Sequence, residues 1–345
     1  MEIIKIFSAK MEEIFLEKKL PERLAVAVSG GCDSLALTFL LKEFCVERKI
    51  KIFAVTVDHK MRESSSEEVK ELGKILKKEK IPHKILKILT KKIPQKNIEA
   101  KLRELRYELL HDFCIKNEIE FLFLGHHLGD VAENFLIRLF RGSGLDGLST
   151  MAEISELNGV KLLRPLLGFK KEDLKKFLHS KKIEWFEDET NSDEKFLRNK
   201  IRNFFESFEE KNLIQERIKK ASDGIAEMRD FFDEILLREA RKILELQTNG
   251  DFLLNYKKFQ KLDEKIALKI LALVLMEVGE KIYKPRLEKL KRFHEWIAET
   301  KNHKRKNFYG CMVEKFDATQ LRIFPENDSG QRQSRALKTI LKNIF

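Results

Sequence analysis

The chain has 345 residues, of which 43% are hydrophobic and 36% are charged. This apolar content excludes a disordered polar chain, and the length favours two packed domains. The 68 lysine and arginine residues exceed the 56 aspartate and glutamate residues by 12, which favours a polyanionic partner such as nucleic acid, although lysine-rich usage alone gives the same surplus.

Between residues 24 and 168, short apolar runs alternate with amphipathic stretches, a pattern typical of a parallel α/β sheet. The predicted strands are Leu24–Ser29, Lys51–Asp58, His83–Ile88, Phe121–Gly125 and, more weakly, Val160–Arg164. The predicted helices are Ser34–Glu47, Ser65–Glu79, Asn97–Asn117, Asp130–Arg141 and Lys170–Ser180.

The β-branched strands end after Arg202, and a smaller, mainly helical unit is predicted to follow. Its predicted elements are a helix over Asn212–Gln247 interrupted near Gly224, helices over Tyr256–Gly279 and Pro285–Thr300, and a hairpin over Asn307–Lys315 and Gln320–Phe324. The predicted boundaries are an α/β domain over 1–205, a helical linker over 206–250, a C-terminal domain over 251–326 and a basic tail over 327–345.

A glycine-rich turn, Ser29–Ser34 with the sequence SGGCDS, joins the first predicted strand to the first predicted helix. Such a turn presents free backbone N–H groups and the positive end of a helix dipole, and this geometry binds phosphate. Gly30 and Gly31 allow close approach of the backbone, the two serines offer hydroxyl donors, and Asp33 suits a Mg²⁺ ion bridging phosphate oxygens. The alternative is an ordinary βα turn with Asp or Ser as the N-cap.

A second glycine motif, Gly142–Gly147, has the GxGxxG spacing of a dinucleotide site. A helix rather than a strand precedes it, so we interpret it as a helix-ending loop. The turn at Ser29–Ser34 lacks the lysine of GxxxxGK[ST], so a kinase-type phosphate clamp is not indicated.

Further candidates follow the other strands and helices. Asp58 and His59 end the second strand, where an Asx turn is as good an interpretation as a ligand site. Glu99, Arg103 and Arg106 share one helix face. Two guanidinium groups on one face suit a phosphate, although a solvated ion-pair ladder has the same pattern.

The fourth predicted strand runs into His126 and His127, and the helix after it carries Asp130 and Glu133 on one face of its first turn. This carboxylate pair suits an ammonium group or Mg²⁺, and acidic capping of the helix is the alternative. The HHxxD spacing differs from HExxH, so zinc is not favoured.

Two polar segments, Glu187–Asn191 and Arg198–Arg202, are by themselves typical of turns. Farther along, Lys284–Lys306 has nine basic and three acidic residues, a net charge of +6, with Phe293 and Trp296 between them. We expect phosphate contacts here, with the aromatic side chains mainly buried.

Cysteine usage and hydropathy predict a reduced, soluble, cytoplasmic protein without a membrane partner. The four cysteines form no CxxC pair, and no secretory leader begins the sequence. The longest uncharged apolar run not broken by glycine, Ile270–Met276, is far shorter than the ~20 residues that cross a bilayer.

The SGGCDS turn resembles the loop of the PP-loop ATP pyrophosphatases, which bind the pyrophosphate part of ATP. The blocks DHKMR, EAKLRELRY, GHHLGDVAENFLIRLFRGSGLDGL, RPLL and EDETN…RNKIR follow it in order, and residues 24–202 thereby resemble the tRNA(Ile)-lysidine synthetases. The resemblance implies a PP-loop nucleotide-binding domain of the adenine nucleotide alpha hydrolase-like type. It also implies adenylation of the wobble cytidine of a CAU anticodon with ATP and Mg²⁺, followed by displacement of AMP by the ε-amino group of L-lysine.

The resemblance also implies roles for individual residues. The implied ATP-binding residues are Ser29, Gly30, Gly31, Cys32, Asp33, Ser34, Asp58, His59 and Arg103, with Mg²⁺ on Asp33. Arg106 would lie over the reacting phosphate, and Asp130 and Glu133 would bind lysine; with Asp33, these are the implied catalytic residues. The expected tRNA contacts are Arg141, Arg198, Asn199, Arg202, Lys304 and Arg305. One C-terminal domain is expected, and a homodimer is left open.

Three alternatives remain beside lysidine synthesis. A PP-loop tRNA thiolation enzyme, making 2-thiocytidine or 2-thiouridine, needs a reactive cysteine or a cysteine-ligated iron–sulfur cluster. An amidotransferase-type synthetase needs a glutaminase module, for which the length leaves little room. A non-catalytic RNA-binding protein has no use for Asp33, Arg106, Asp130 and Glu133 together.

Overall fold

The computed structural model describes residues 2–16, 19–58, 63–88, 98–149, 151–186, 193–281, 283–299, 305–326 and 341. The chain forms two compact units, Met1–Ala226 and Glu227–Phe345, called here the N-terminal unit and the C-terminal unit. In the described part, each unit contains one β-sheet. Within these residues, no helix has the length and apolarity that a membrane span needs.

The N-terminal unit is an α/β domain. Its strands are β1 (Arg23–Ala27), β2 (Lys51–Asp58), β3 (His83–Lys87), β4 (Phe121–Phe123), β5 (Ile154–Leu157) and β6 (Val160–Leu163). They form one sheet in the order β3-β2-β1-β4-β6-β5, parallel except for β5. Its helices are α1 (Glu2–Phe15), α2 (Cys32–Arg48), α3 (Glu63–Lys78), α4 (Ile98–Lys116), α5 (Leu128–Phe140), α6 (Leu145–Leu148), α7 (Lys171–Ser180), α8 (Asp193–Glu206) and the first part of α9 (Lys211–Ile243).

After Arg23, the central strand β1 is apolar because both faces of the sheet are covered. Leu24, Ala25 and Val26 are fully buried, with Leu24 opposite Ile52 of β2 and Ala25 opposite Leu122 of β4. The strand order reverses between β1 and β4, and open α/β sheets bind ligands at the carboxyl ends of strands at such a switch point. The turns after β1 and β4 therefore border the expected site.

The predicted parallel sheet is confirmed, since each of the five predicted strands and five predicted helices of this region is present. The GxGxxG segment is also confirmed as a helix-ending loop, because it follows α5 and Gly142 has φ +70°. The turn expected at Arg198–Arg202 is wrong. These residues lie inside α8, whose Ile201 and Phe205 pack against Ala132 of α5.

The C-terminal unit combines helices with a small antiparallel sheet. Its strands are β7 (Leu244–Leu246), β8 (Phe252–Asn255), β9 (Lys306–Phe308), β10 (Cys311–Lys315) and β11 (Gln320–Pro325), in the order β7-β8-β11-β10-β9. Besides the second part of α9, its described helices are α10 (Tyr256–Phe259), α11 (Glu264–Val278) and α12 (Leu287–Glu299).

The predicted hairpin is confirmed as β10 and β11, but its first arm, Asn307–Lys315, is two antiparallel strands, β9 and β10, and strands β7 and β8 were not predicted. The interruption near Gly224 is wrong, because α9 is continuous through it. The single helix expected over Tyr256–Gly279 is two helices, because the Asp263 side chain accepts the Lys265 N–H and begins α11. Phe293 is buried, as expected, and stacks on Trp296 with ring centroids 5.4 Å apart.

Candidate active site

The turn after β1 is held by its own hydroxyl groups. The Ser29 N–H donates to Ser34 Oγ over 3.1 Å, and Ser34 Oγ donates to the Gly31 carbonyl over 3.0 Å. The Ser29 hydroxyl lies 3.1 Å from Ser34 Oγ and, since the Ser34 proton is already used, donates to it. The hydroxyl of Ser34, which was expected to contact ATP, is therefore occupied inside the turn.

Gly30 and Gly31 give this turn the shape that exposes the start of α2. Gly30 has φ +87°, and a Cβ there would lie 2.7 Å from the ring of Phe186. The Phe186 N–H also donates to the Gly30 carbonyl over 3.0 Å. Gly31 is the N-cap of α2 and offers no capping side chain. The first N–H groups of α2 therefore remain suitable for an anion.

The turn after β4 passes directly against the start of α2. A Cβ at Gly125 would lie 3.0 Å from the N and Cα atoms of Ser34, so only glycine fits at this distance. The residues after Gly125, His126 and His127, are thereby brought next to Asp33. Two turns that are about a hundred residues apart in sequence consequently form one site.

His127 connects the carboxylates of the two turns. Its Nδ1 accepts the Gly129 N–H over 3.0 Å, so the neutral ring carries its proton on Nε2. Nε2 lies 3.7 Å from Oδ2 of Asp33 and 3.7 Å from Oδ2 of Asp130. Asp130 Oδ2 also accepts the His127 backbone N–H. Burial acts to raise the pKa of Asp130, but His127, His126 and this N–H outweigh burial, and the pKa is lowered.

Asp33 has an oxygen that suits a metal ion. Its Oδ1 is buried and has no hydrogen-bond partner in the described part of the chain. No group of three or more histidine, cysteine, aspartate or glutamate side chains with metal-site geometry occurs among the described residues. Mg²⁺ commonly binds one or two carboxylates and completes its shell with phosphate oxygens and water. The orphaned Asp33 oxygen fits that kind of site.

Glu133 is paired with two arginines of α8. Arg202 Nε donates to Glu133 Oε1 over 2.6 Å and Nη2 donates to Oε2 over 3.2 Å. Arg198 Nε lies 3.2 Å from Oε2 without satisfying hydrogen-bond geometry. Burial raises the pKa of Glu133, although Arg202 opposes this shift. The residues expected to bind lysine and those expected to bind tRNA are therefore in contact.

A cavity of about 100 Å³ lies beside Glu133, lined among others by Glu172, Arg202 and Lys211. Its volume is several times the ~10–15 Å³ that one water molecule needs. Glu172 Oε1 accepts a bond from Lys211 Nζ at 2.9 Å, whereas the buried Oε2 has no hydrogen-bond partner within the described residues. Burial acts to raise the pKa of Glu172, but the hydrogen bond and charge of Lys211, together with the other hydrogen bonds to this carboxyl group, outweigh it and the pKa is lowered. The cavity therefore offers a carboxylate oxygen to an incoming donor.

Three arginines and Tyr107, from α4 and the position after β6, form a basic cluster near His126. Arg103 lies with its guanidinium carbon 5.5 Å from the ring centre of Tyr107, and the Tyr107 side chain bonds to Arg164. Burial lowers the pKa of Arg106, and Arg103 lowers it further. No role was assigned to Arg164 from the sequence. Its position directly after a strand of the parallel sheet could have identified it as a candidate site residue.

The other residues expected at the site lie on several elements, in both units. Cys32 and Asp58 are buried, at the first residue of α2 and the last residue of β2. Arg141 is the C-cap of α5, Asn199 lies on α8, and Arg305 in the C-terminal unit has Nε 3.7 Å from Glu314. The described residues do not include His59, Lys304 and 187–191, nor the side chain of Glu99.

A parallel sheet with the SGGCDS turn at its switch point defines a PP-loop domain. The PP-loop domain family matches residues 4–207. Among solved structures, the fold is similar to the U34-tRNA thiolase NcsA from Methanococcus maripaludis, with TM-score 0.53 and 19% identity, covering 64% of this chain and 78% of that chain. The class is thus an ATP-binding PP-loop protein.

Sequence identity to curated relatives identifies the family within this class. The chain is 32% identical over 309 residues to the tRNA(Ile)-lysidine synthase of Wolbachia sp. subsp. Brugia malayi (strain TRS), covering 87% of this chain and 70% of the relative. It is 34% identical over 301 residues to that of Orientia tsutsugamushi (strain Boryong), covering 85% of this chain and 67% of the relative. The chain belongs to the tRNA(Ile)-lysidine synthase family.

Proposed function

We propose that the protein ligates L-lysine to the 2-position of the wobble cytidine of a tRNA(Ile) with a CAU anticodon. ATP drives the reaction, and AMP and pyrophosphate are released. The product, lysidine, changes the reading of the anticodon from AUG to AUA. The observation that carries this proposal is the meeting of Asp33 with Asp130 through His127 at the switch point, in a chain of this family.

The proposed reaction has two steps. The O2 oxygen of the cytidine attacks the α-phosphorus of ATP, forming a C–O–P link as the bond to pyrophosphate breaks. The ε-amino nitrogen of lysine then attacks C2, forming the C–N bond as the C–O bond to AMP breaks. The amine loses one proton in this second step, so the site needs both a phosphate-binding half and an amine-binding half.

The turn after β1 and the start of α2 supply the phosphate-binding half. The free N–H groups of α2 and its dipole favour the phosphates of ATP. Asp33 would hold Mg²⁺, and the bound ion would offset charge that develops on the phosphate. Arg106 would stabilise the same charge. His127 holds Asp33 and Asp130 close to each other, which is the role that sequence reasoning left open.

The first two turns of α5 supply the amine-binding half. The lowered pKa of Asp130 keeps it ionised and suited to an ammonium group, whereas the raised pKa of Glu133 makes it the better proton acceptor. The cavity beside Glu133 would take the lysine chain. Since Arg202 already pairs with Glu133, lysine must displace or share this guanidinium.

The tRNA would contact basic residues in both units. Arg141 and Arg198 are candidates on the N-terminal unit, and Arg305 is a candidate on the C-terminal unit. A cytoplasmic location is also proposed, because the four cysteines are buried and none is assigned to a disulfide, as expected for a reduced protein. A homodimer remains a prediction. Mass photometry of the purified protein tests it by measuring the mass of the assembly.

Three of the four cysteines are unsuited to the competing thiolation function. Burial raises the pKa of Cys45, Cys114 and Cys311 to about 12, which removes their nucleophilic character at neutral pH. The fourth, Cys32, is 5% exposed. This scarcity of reactive thiols favours lysidine formation over sulfur transfer.

The test is incorporation of labelled lysine into a CAU-anticodon tRNA(Ile) transcript with ATP and Mg²⁺, followed by mild alkali. Alkali removes a lysyl ester but leaves a lysine that is joined to the base through nitrogen. We expect ATP-dependent, alkali-stable label, and none on a transcript with a wobble uridine. Label that alkali removes, or equal label on both transcripts, would contradict the proposal.

A further inference from the structure

Two buried nitrogen atoms beside the site have no hydrogen-bond partner among the described residues. Arg164 Nε and His126 Nδ1 are both shielded from solvent, and neither has a hydrogen-bond partner in the part of the chain that the structure describes. The two side chains are close enough for the charge of Arg164 to lower the pKa of His126. Buried polar atoms are nearly always paired in folded proteins, so two orphaned nitrogens in one place indicate an absent acceptor.

Within the described residues, the positive charge around these nitrogens exceeds the negative charge. Arg103, Arg106 and Arg164 all act on His126, and its pKa falls to about 4 through burial and these cations, against the opposing effect of Asp130. Among the described residues, none of the three arginines has a carboxylate within ion-pair distance. Partly buried like charges repel each other and lose hydration, and an anion between them relieves both costs.

Arg164 is fixed in position by its other contacts. Its Nη1 donates to the Ala152 carbonyl and to Ser155 Oγ, each over 2.9 Å, and the Tyr107 side chain bonds to the same guanidinium. These bonds anchor the group on the β5–β6 side. Nε is left as the donor that faces no protein acceptor.

We propose that Arg164 and His126 bind a phosphate group, completing with Arg103 and Arg106 an anion subsite next to Asp130. A guanidinium and a neutral imidazole protonated on Nδ1 would donate to its oxygens. The inference rests on the proposed function for the source of this phosphate, which is either the ATP chain or the tRNA backbone beside the wobble nucleotide. It extends that function by assigning phosphate binding to Arg164 and His126, which otherwise have no role in it.

The test measures binding without catalysis, using inorganic pyrophosphate, ATP with Mg²⁺, and an anticodon stem-loop RNA as separate probes. The variant is Arg164→Gln in the full chain. The matched control is Arg23→Gln, which removes the same charge from an arginine of β1 whose Nη1 bonds the Asn117 carbonyl. Circular dichroism and thermal melting establish that each variant is folded, and Arg164→Lys replaces Arg164→Gln if the latter is not.

If the phosphate belongs to ATP, Arg164→Gln weakens pyrophosphate and ATP binding roughly 10- to 100-fold and leaves the stem-loop unaffected. If it belongs to tRNA, the stem-loop is weakened instead, and its slope of log K against log salt falls by about 0.7 to 0.9. The Arg23→Gln control keeps wild-type affinity in either case. A folded Arg164→Gln that binds all three probes like the wild type, or an Arg23→Gln control that loses as much affinity as it does, would overturn the inference. A wild-type protein that binds none of the probes would refute the proposed function instead.

Discussion

Asp130 and Glu133 are one helical turn apart, yet their surroundings favour different protonation states. Asp130 accepts a backbone N–H and lies near two histidines, which lower its pKa despite burial. Glu133 is 5% exposed, and burial raises its pKa even with Arg202 beside it. Two carboxylates with pKa values shifted in opposite directions suit one to bind a cation and the other to take a proton.

Asp130→Asn should raise the KM for lysine roughly tenfold or more, because the amide removes the charge that an ammonium group prefers. The KM for ATP should change little, since the phosphates lie at the turn after β1. Steady-state kinetics with each substrate varied in turn measures both. Asp112→Asn, at an exposed carboxylate of α4, is the control and should alter neither value. Equal changes for lysine and ATP would remove the proposed role.

Arg202→Gln should move the acidic limb of the activity profile to higher pH. Glu133 must be ionised to accept the amine proton, so activity is present above its pKa and is lost as pH falls through it. Arg202 opposes the burial that raises this pKa, so its removal raises the pKa further. The pH dependence of kcat/KM for lysine measures the position of this acidic limb. Arg198→Gln should move it less, because Arg198 makes no hydrogen bond to Glu133. A limb that stays in place would contradict the proton-acceptor role.

At the scale of elements, the contact between the turn after β4 and the start of α2 is a close backbone approach. A Cβ at Gly125 would lie 3.0 Å from the backbone of Ser34, which cannot move without distorting the phosphate turn. Gly168, in the same unit, has open space around its Cβ position and no unusual φ. The two glycines form a matched pair that separates close approach from the general effect of adding a methyl group.

Gly125→Ala should lower the free energy of unfolding by about 1–3 kcal/mol through overpacking. It should also raise the KM for ATP, because it displaces the turn. Gly168→Ala should be neutral or slightly stabilising, since alanine restricts the unfolded chain. Urea unfolding and ATP kinetics measure these effects. A Gly125→Ala variant as stable and active as Gly168→Ala would show that the two turns are not in contact.

Elements with a strong periodic pattern were predictable, and short or context-dependent ones were not. The β5–β6 hairpin was missed although Asn158-Gly159 gave a usable signal: both residues have positive φ, at 47° and 90°, as in a type I′ turn. Helix α8 was missed because its polar residues suit turns locally, and packing on α5 decides its conformation. The pairing of Arg202 with Glu133 has no sequence signal, since the two residues are far apart in the chain.

At the scale of the whole molecule, the division into units lies within a helix. Helix α9 is continuous over Lys211–Ile243, whereas the N-terminal unit ends at Ala226. A cut after Arg202 would remove Phe205, which is 2% exposed and packs on α5. The fragment 1–226 is therefore the better one with which to test the role of the C-terminal unit.

The fragment 1–226 should bind tRNA more weakly than the full chain, and the difference should shrink as salt rises. The C-terminal unit contains basic residues such as Arg305, and lost phosphate contacts lower the salt dependence of binding. Binding of the CAU transcript at several salt concentrations measures the slope for each protein. Equal affinity at every salt concentration, with the fragment shown to be folded, would contradict a tRNA-binding role for this unit.

The fold of the N-terminal unit and the closeness of Asp33, His127 and Asp130 could be predicted because motifs followed strands in order. The hydrogen bonds and ion pairs that the candidate residues already make within the protein could not be predicted. Ser34 is used inside its own turn, and Glu133 is paired with Arg202. Such pairings depend on distant segments meeting in space, and one-dimensional patterns carry no information about them.

The central claim is that Asp33 serves the phosphate half of the site and Asp130 the amine half. The most direct measurement uses ATP labelled at the α-phosphate and the CAU transcript, first without lysine and then with it. We predict that the wild type and Asp130→Asn both form labelled tRNA, and that Asp33→Asn does not. Added lysine should release the label quickly from the wild type and slowly from Asp130→Asn. Failure of Asp130→Asn to form labelled tRNA, or normal labelling by Asp33→Asn, would contradict this division of roles.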